Sequence, residues 1–326
     1  MKVAVTGATG VVGSHLAEAL RQRGHEVVCL VRSPEKAASL AAIGCRLVKG
    51  DLENDGALRE LVAGAEIVHH VAGAVTAAGG GDAAFIRVNR EGTARVAAAA
   101  RSAGVARLVY TSSLAAAGPA MRGAPVADAT VSGPVTPYGR SKLAGEEAVR
   151  ASGIPFTIVR PASVYGPRDR NQFLPAFKLA RTGWAPVLGD GRQELSLIHV
   201  RDLADGLIAA GEAPATRGRA YHAAHPQVVN QRELFAAIGR AMGRSHVRIV
   251  PVPKPVVMAL LYVVGTGADL VGSGTVLRPT KAPEFFAPAW TCSTAPLTAD
   301  SGWTARLGLD EGLADTARWY KDAGWL

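Results

Sequence analysis

A tyrosine and a lysine stand four residues apart in "PYGRSK", at Tyr138 and Lys142. On a helix those positions share one face, one turn apart. Reduction of a carbonyl, or oxidation of an alcohol, needs a group that gives or takes a proton as hydride moves. A phenol with a pKa of about 10 is a poor base at neutral pH; a neighbouring ammonium and the positive ring of an oxidised nicotinamide would favour its ionised form. Such a site also needs a hydroxyl to hold the substrate oxygen, and "LVYTSSLAAAG" offers Thr111, Ser112 and Ser113 at the end of an apolar run. The Tyr/Lys spacing alone fits an accident on a helix face equally well, so the surrounding elements decide.

Those elements alternate. Short β-branched runs at Lys2 to Thr6, Glu26 to Val31, Arg46 to Lys49, Ile67 to Val71, Arg107 to Thr111 and Phe156 to Arg160 read as strands, separated by Ala/Leu-rich helical stretches. The helix from about Tyr138 to Ser152 carries the pair. This is the pattern of an α/β fold with a doubly wound parallel (Rossmann) sheet, whose carboxyl-terminal edge binds ligands. Ser113 and Tyr138 are thereby expected to open onto one crevice. After Arg160 the alternation breaks into Pro- and Gly-containing loops. We expect a dinucleotide-binding domain over residues 1–163, rejoined by about 196–215, and a smaller mixed α/β substrate lobe over 164–195 and 216–326. The closing "LGLDEGLADTARWYKDAGWL" reads as an amphipathic helix packed by Leu313, Ala317 and Tyr320.

"VAVTGATGVVGSHLAEAL" places Gly7, Gly10 and Gly13 between the first strand and the first helix. Glycine suits a tight turn, a close backbone approach to a pyrophosphate and close helix packing, and the helix start offers free N–H groups to phosphate. An NAD-binding chain usually presents a carboxylate at the end of its second strand. Here "EVVCLVRSPEK" presents Val31 and then Arg32, with Lys36 a turn later. A guanidinium grips a 2'-phosphate that a carboxylate would repel. NADP(H) is therefore the favoured cofactor and NAD(H) the alternative. Asp51 and Leu52 in "GDLEND" are expected to flank the adenine ring.

The sequence resembles the extended short-chain dehydrogenases/reductases, the NAD-dependent epimerase/dehydratase superfamily, and in pattern its 3β-hydroxysteroid dehydrogenase-like branch. The resemblance is carried by "TGATGVVG" at Thr6, "HVAG" at His70, "VNREGT" at Val88, "TSS" at Thr111, "YGRSK" at Tyr138, "RPASVYGPRD" at Arg160 and "HVRDLA" at His199, in family order. It implies Ser113, Tyr138 and Lys142 as the catalytic set and Asn89 as an organiser of the site. It also implies cofactor contacts from Gly7, Thr9, Gly10, Val11, Val12 and Gly13, from Val71, Ala72, Gly73 and Asn89, from Thr111, Ser112, Tyr138 and Lys142, and from Pro161, Ala162 and Ser163.

Sugar-nucleotide members typically carry Asn where this chain has Ser163 and Arg where it has Leu195. Both departures weaken binding of a substrate diphosphate. In exchange, "PVPKPVVMALLYVVGTGADLVG" from Pro251 and "APEFFAPAW" from Ala282 are apolar. They suit a pocket for a hydrophobic substrate, or equally the small lobe's own core. The expected activity is an NAD(P)-dependent interconversion of a secondary alcohol and a ketone on a hydrophobic substrate, steroid-like by the resemblance, with Tyr138 as acid/base. A nucleotide-sugar epimerase or dehydratase is the first rival, and a non-catalytic dinucleotide-binding regulator the second.

Composition sets the remaining bounds. Of 326 residues, 48% are hydrophobic and 19% charged, as in a folded globular protein. The net charge of +9 is scattered rather than clustered, which argues against a nucleic-acid partner. Cys29, Cys45 and Cys292 lack metal-ligand spacing and read as buried reduced thiols. The start "MKVAVTGATG" reads as a strand rather than a signal peptide, and "VVMALLYVVG" at Val256 is too short to span a bilayer. A cytoplasmic protein without stable membrane insertion is expected. By family analogy the helices Asp82 to Ser102 and Tyr138 to Ser152 could form a homodimer, although packing on the sheet explains their apolar faces as well.

Overall fold

The β-branched runs of the first half become strands β1 (Lys2–Thr6), β2 (Glu26–Val31), β3 (Arg46–Lys49), β4 (Ile67–His70), β5 (Arg107–Thr111) and β6 (Phe156–Pro161). Shorter strands follow: β7 (Ser163–Tyr165), β8 (Trp184–Leu188), β9 (Glu194–His199), β10 (Arg219–Ala223), β11 (Val228–Asn230), β12 (Arg248–Val252) and β13 (Ala289–Trp290). The structure, a computed structural model, describes residues 1–76, 81–127, 129, 132–270 and 278–326.

Seven strands form one parallel sheet in the order β10-β6-β5-β4-β1-β2-β3. The order reverses between β1 and β4, and ligands of doubly wound sheets bind beyond the strand ends at such a switch point. Successive residues of each strand serve opposite faces. Val3, Val5, Val27 and Cys29 pack on one side, with Leu16 and Leu20 of the Val11–Gln22 helix and Leu203 and Leu207 of the Val200–Glu212 helix. Ala4, Val28 and Leu30 pack on the other, with Leu58 and Leu61 of Asp55–Val62, Val96 of Thr93–Ser102 and Val149 of Pro137–Ala151.

The expected boundary at 216 falls before β10, which pairs with β6 along its whole length and so keeps the chain with the large sheet through Ala223. The reason is local: β6 would otherwise be an edge strand with open backbone groups, and Gly218 N–H already bonds the Phe156 carbonyl at 2.7 Å. The second lobe is built on β9, flanked by β11 and β13 and paired also with β7, and on the β8–β12 pair. Its core joins Phe177, Leu234 and Ile238 to Leu313, Ala317 and Tyr320 of the closing Leu309–Asp322 helix. Among the described residues no helix is long and apolar enough to cross a membrane.

Candidate active site

The glycine turn is shaped by close approaches that only glycine permits. Gly7 has φ +72°, and a Cβ there would lie 2.6 Å from the Ala72 nitrogen. A Cβ on Gly13 would overlap the Gly7 carbonyl, so the Val11–Gln22 helix can pack down on the turn. Gly10 caps that helix without a side-chain bond, and Thr9 and Gly10 are exposed, with Val11 and Val12 partly so. Uncapped N–H groups at an open helix start are an anion cradle. These residues fit a dinucleotide pyrophosphate.

Arg168 was not singled out from sequence, yet it reaches this cradle from the "YGPRD" turn. It is the one non-glycine residue at positive φ among the described residues (φ 72°), and its guanidinium bonds Ser14 Oγ at 2.9 Å and Glu18 Oε1 at 2.5 Å. A φ in this region strains a side-chain-bearing residue, and these two bonds hold it there. Arg32 follows the last residue of β2 and is exposed, as is Lys36, and Arg32 forms no ion pair among the described residues. Asp51 is exposed and accepts the Glu53 N–H at 2.9 Å, while Leu52 is half-buried against the sheet core.

From β4 onward a chain of hydrogen bonds fixes the floor of the cleft. Ala72 N–H donates to Thr6 Oγ1 (3.2 Å), Thr6 to His70 Nδ1 (2.7 Å), His70 Nε2 to Thr93 Oγ1 (2.9 Å), and Thr93 to the Asn89 carbonyl (2.7 Å). Only a neutral imidazole with its proton on Nε2 completes that chain, and burial pushes the His70 pKa down to about 3. Asn89 lies in a π-helical turn, Arg87–Gly92, and is fully buried. Its amide clasps both the N–H and the carbonyl of Ala74 (2.8 and 3.0 Å) and donates to Ser141 Oγ (2.9 Å), whose hydroxyl bonds the Tyr138 carbonyl (2.7 Å). Val71 bonds back to the Thr6 carbonyl at 3.3 Å. Gly73 is exposed, and a Cβ there would come 3.1 Å from Asn89 Oδ1 and 3.4 Å from Lys142 Nζ.

The structure brings Ser113, Tyr138 and Lys142 to this floor. Thr136 caps the Pro137–Ala151 helix by accepting the Gly139 N–H, and Pro137 fits its first turn. Lys142 is buried, donates to the Thr111 carbonyl at 2.6 Å and lies 4.5 Å above the Tyr110 ring centroid. Burial pushes its pKa down to about 7, with Glu146 opposing. Burial likewise pushes Tyr138 up to about 12, with a hydrogen bond from the Ser113 side chain opposing and the Glu284 charge adding to the rise. The expected lowering of the Tyr138 pKa by Lys142 is not found: desolvation sets the direction, and the Lys142 amine is turned to the Thr111 carbonyl and the Tyr110 ring. A neutral phenol is the form that can donate to a carbonyl oxygen.

The Lys142 shift has a sign that can be measured. The unfolded lysine titrates at its ordinary 10.5 and the folded one at about 7, so between these values the unfolded chain binds more protons and stability rises with pH. Urea midpoints of the cofactor-free protein from pH 6 to 10 should show this rise for the wild type and lack that increment in K142M; parallel curves would disprove it.

Glu146, one further turn along the Tyr138–Lys142 face, was missed from sequence although its spacing of four after Lys142 was visible. It is buried, accepts Ser112 Oγ at 2.5 Å, and receives Nε and a terminal nitrogen of buried Arg160, both at 2.8 Å. Three elements are thus tied at one carboxylate: the end of β5, the end of β6 and the helix carrying Tyr138. Just beyond, Pro161 closes β6, Ala162 is buried with its N–H on the Ala223 carbonyl (2.9 Å), and half-buried Ser163 pairs with Leu197.

A strap from the second lobe lies over the site. Lys281 Nζ is 5.5 Å from the Tyr138 ring centroid and is paired with Glu284 at 2.6 Å, while Phe85 meets the same ring edge-on at 6.0 Å. Gln193 Nε2 holds the strap by the carbonyls of Glu284, Phe285 and Ala287, at 3.3, 3.2 and 2.7 Å. Leu114, Ala162, Ala287 and Trp290 form one apolar cluster, on which Leu195 packs.

Known proteins are similar to this chain in sequence and fold. The chain is 35% identical over 325 residues to a ceramide reductase of Caulobacter vibrioides, covering 99% of this chain and 96% of that one. It is 29% identical over 334 residues to a 2-alkyl-3-oxoalkanoate reductase of Stenotrophomonas maltophilia, covering 96% and 97%. A Thermus thermophilus UDP-glucose 4-epimerase complexed with NAD has the same fold, with a TM-score of 0.78 at 23% identity, covering 99% and 100%. With the family's sequence model matching residues 3–224, the chain belongs to the NAD dependent epimerase/dehydratase family and is a nicotinamide-dependent enzyme of the extended short-chain dehydrogenase/reductase type.

Proposed function

We propose that the enzyme interconverts a secondary alcohol and a ketone on a hydrophobic, steroid- or lipid-like substrate, with net redox change. The observation that carries this reading is the apolar cluster behind the site: Leu114 follows Ser113, Ala162 precedes Ser163, and Leu195 packs on the same cluster. A sugar diphosphate would need fixed cations and amide donors on that wall. The ceramide reductase and the 2-alkyl-3-oxoalkanoate reductase named above, both of them reductases of lipid-like compounds by their names, are consistent with it.

When bound, the nicotinamide supplies or accepts the hydride. Tyr138 gives its proton to the substrate oxygen in reduction and takes it back in oxidation, and Ser113 holds that oxygen. Asn89 and Ser141 hold the Tyr138 backbone, and the Lys281–Glu284 strap excludes water above the ring. Incubation with long-chain ketones and each reduced cofactor should consume the cofactor, read by its absorbance. Epimerisation of a UDP-sugar without cofactor consumption would overturn the reading.

NADP(H) is the cofactor we favour, because exposed Arg32 stands just past the end of β2, where an NAD-binding chain usually presents a carboxylate. R32A should lower the preference for NADP(H) over NAD(H) by about tenfold or more, the loss of a charge-assisted phosphate contact. An unchanged ratio of dissociation constants would refute the assignment. The outer faces of Thr93–Ser102 and Pro137–Ala151 present Ala94, Ala98, Ala144, Ala148 and Ala151 along one groove, and their small side chains suit a homodimer contact, readable from the solution mass.

A further inference from the structure

The helix Lys254–Leu270 is apolar around its circumference, and such a helix is ordinarily buried. Only one side of it is: Val257, Leu261 and Gly265 face the protein. The opposite side, Val256, Ala259, Leu260 and Val263, follows the i, i+3, i+4, i+7 spacing of a single helical face and is exposed. Val256, Leu260 and Val263 are 56%, 53% and 71% exposed, and Tyr262 flanks them at 57%. Of the eleven large apolar side chains that stand exposed among the described residues, these are four. Singly scattered apolar residues need no explanation, but a contiguous face marks a docking surface.

Charge indicates what docks. Residues 234–268 contain no Asp or Glu, yet they hold Arg244, Arg248 and Lys254 besides Arg240, which is paired with Asp310. The whole chain carries +9. A second copy seated on this face would bring two such acid-free basic segments together. An anionic lipid surface complements both the apolar face and the basic excess of the segment that leads into it, with Lys254 at the start of the helix. The helix has 17 residues, and among the described residues none is long and apolar enough to cross a bilayer, so this one would lie in the interface plane.

Position gives the surface a purpose. The helix packs on the Pro279–Lys281 turn, and Lys254 Nζ lies 4.9 Å from the centroid of Phe286, in the strap. Lys281 of that turn is the residue above the Tyr138 ring. We infer that the Val256–Val263 face seats the enzyme on an anionic bilayer surface, which brings the strap over Tyr138 to the lipid and lets a hydrophobic ketone pass from the bilayer to the site. The delivery step rests on the hydrophobic-substrate reading above; the docking does not.

The test is flotation of the full chain, with cofactor, on phosphatidylcholine vesicles with and without phosphatidylglycerol. The wild type should float with the mixed vesicles, less with pure phosphatidylcholine, and less again as salt is raised. L260E/V263E should partition at least about tenfold more weakly, since apolar burial supplies most of the affinity. Its thermal midpoint, cofactor affinity and turnover of a short, water-soluble ketone should be unchanged, while turnover of a vesicle-borne long-chain ketone should fall. K254E should weaken binding to the anionic vesicles alone. A wild type that stays with the dense fraction, a double variant that floats as well, or a solution mass that halves in the double variant, which would make a second copy the occupant, each overturns the docking. Flotation together with no turnover of any ketone would count against the substrate reading and leave the docking standing.

Discussion

Tyr138→Phe is expected to lower turnover by about 10²–10⁴-fold, the range removed with a positioned acid/base, while changing cofactor affinity little. The phenylalanine ring keeps the contact with Phe85 and the place beneath Lys281, so the loss is confined to the hydroxyl that Ser113 bonds. Burial pushes the pKa of that hydroxyl up to about 12. In the reduction direction the rate should therefore stay level up to about pH 10, where a phenol of ordinary pKa would already be half ionised. The measurement is steady-state kcat for a ketone beside calorimetric cofactor affinity for both proteins. A fully active variant would remove Tyr138 from the chemistry, and a variant that lost cofactor binding would make its role structural.

Glu146→Ala is expected to destabilise the fold by about 3–5 kcal/mol, the cost of breaking one side of a buried ion pair. Both partners are 1% exposed, and the carboxylate accepts two bonds from Arg160 and one from Ser112. Truncation leaves a guanidinium in a site built for its carboxylate, where water cannot compensate. Replacing both partners by apolar side chains, as in E146L/R160L, should recover much of the loss, because the desolvation cost leaves with the charges. Urea unfolding of the three proteins reads this directly: an E146A protein within about 1 kcal/mol of wild type, the worth of an exposed pair, would show that the pair is not what joins these elements. Because the same helix carries Tyr138 and Lys142, E146A should also lose activity before it unfolds.

Much of the fold was legible because its signals are local. β1, β2, β3 and β5 fall at the residues expected from their β-branched runs, and the glycine turn is recognisable since each glycine answers a steric demand within the same strand–turn–helix unit. The strand ends differ by single residues: β4 stops at His70, whose side chain is needed between Thr6 and Thr93, and β6 runs on to Pro161. The stretch from Asp82 to Ser102 reads as one helix but contains the π-helical turn that turns Asn89 toward Ala74 and Ser141. No periodicity announces that turn, because its cause is a pair of partners 15 residues back and 52 ahead.

By itself, then, the sequence determined the parallel sheet, the phosphate turn and the chemical types of Ser113, Tyr138 and Lys142, all of which depend on residue type and short-range spacing. Tertiary structure alone decided which charges meet. It set Glu146 against Arg160, drew Arg168 at φ 72° onto the helix behind the glycine turn, turned Lys142 to Thr111 and laid Lys281 over Tyr138. It also left one face of the apolar Lys254–Leu270 helix uncovered, where sequence allowed a core as readily as a substrate pocket. The physical reason is the same in each case: hydropathy and turn chemistry act through a few neighbouring residues, whereas desolvation and ion pairing depend on what distant segments bring to the same place.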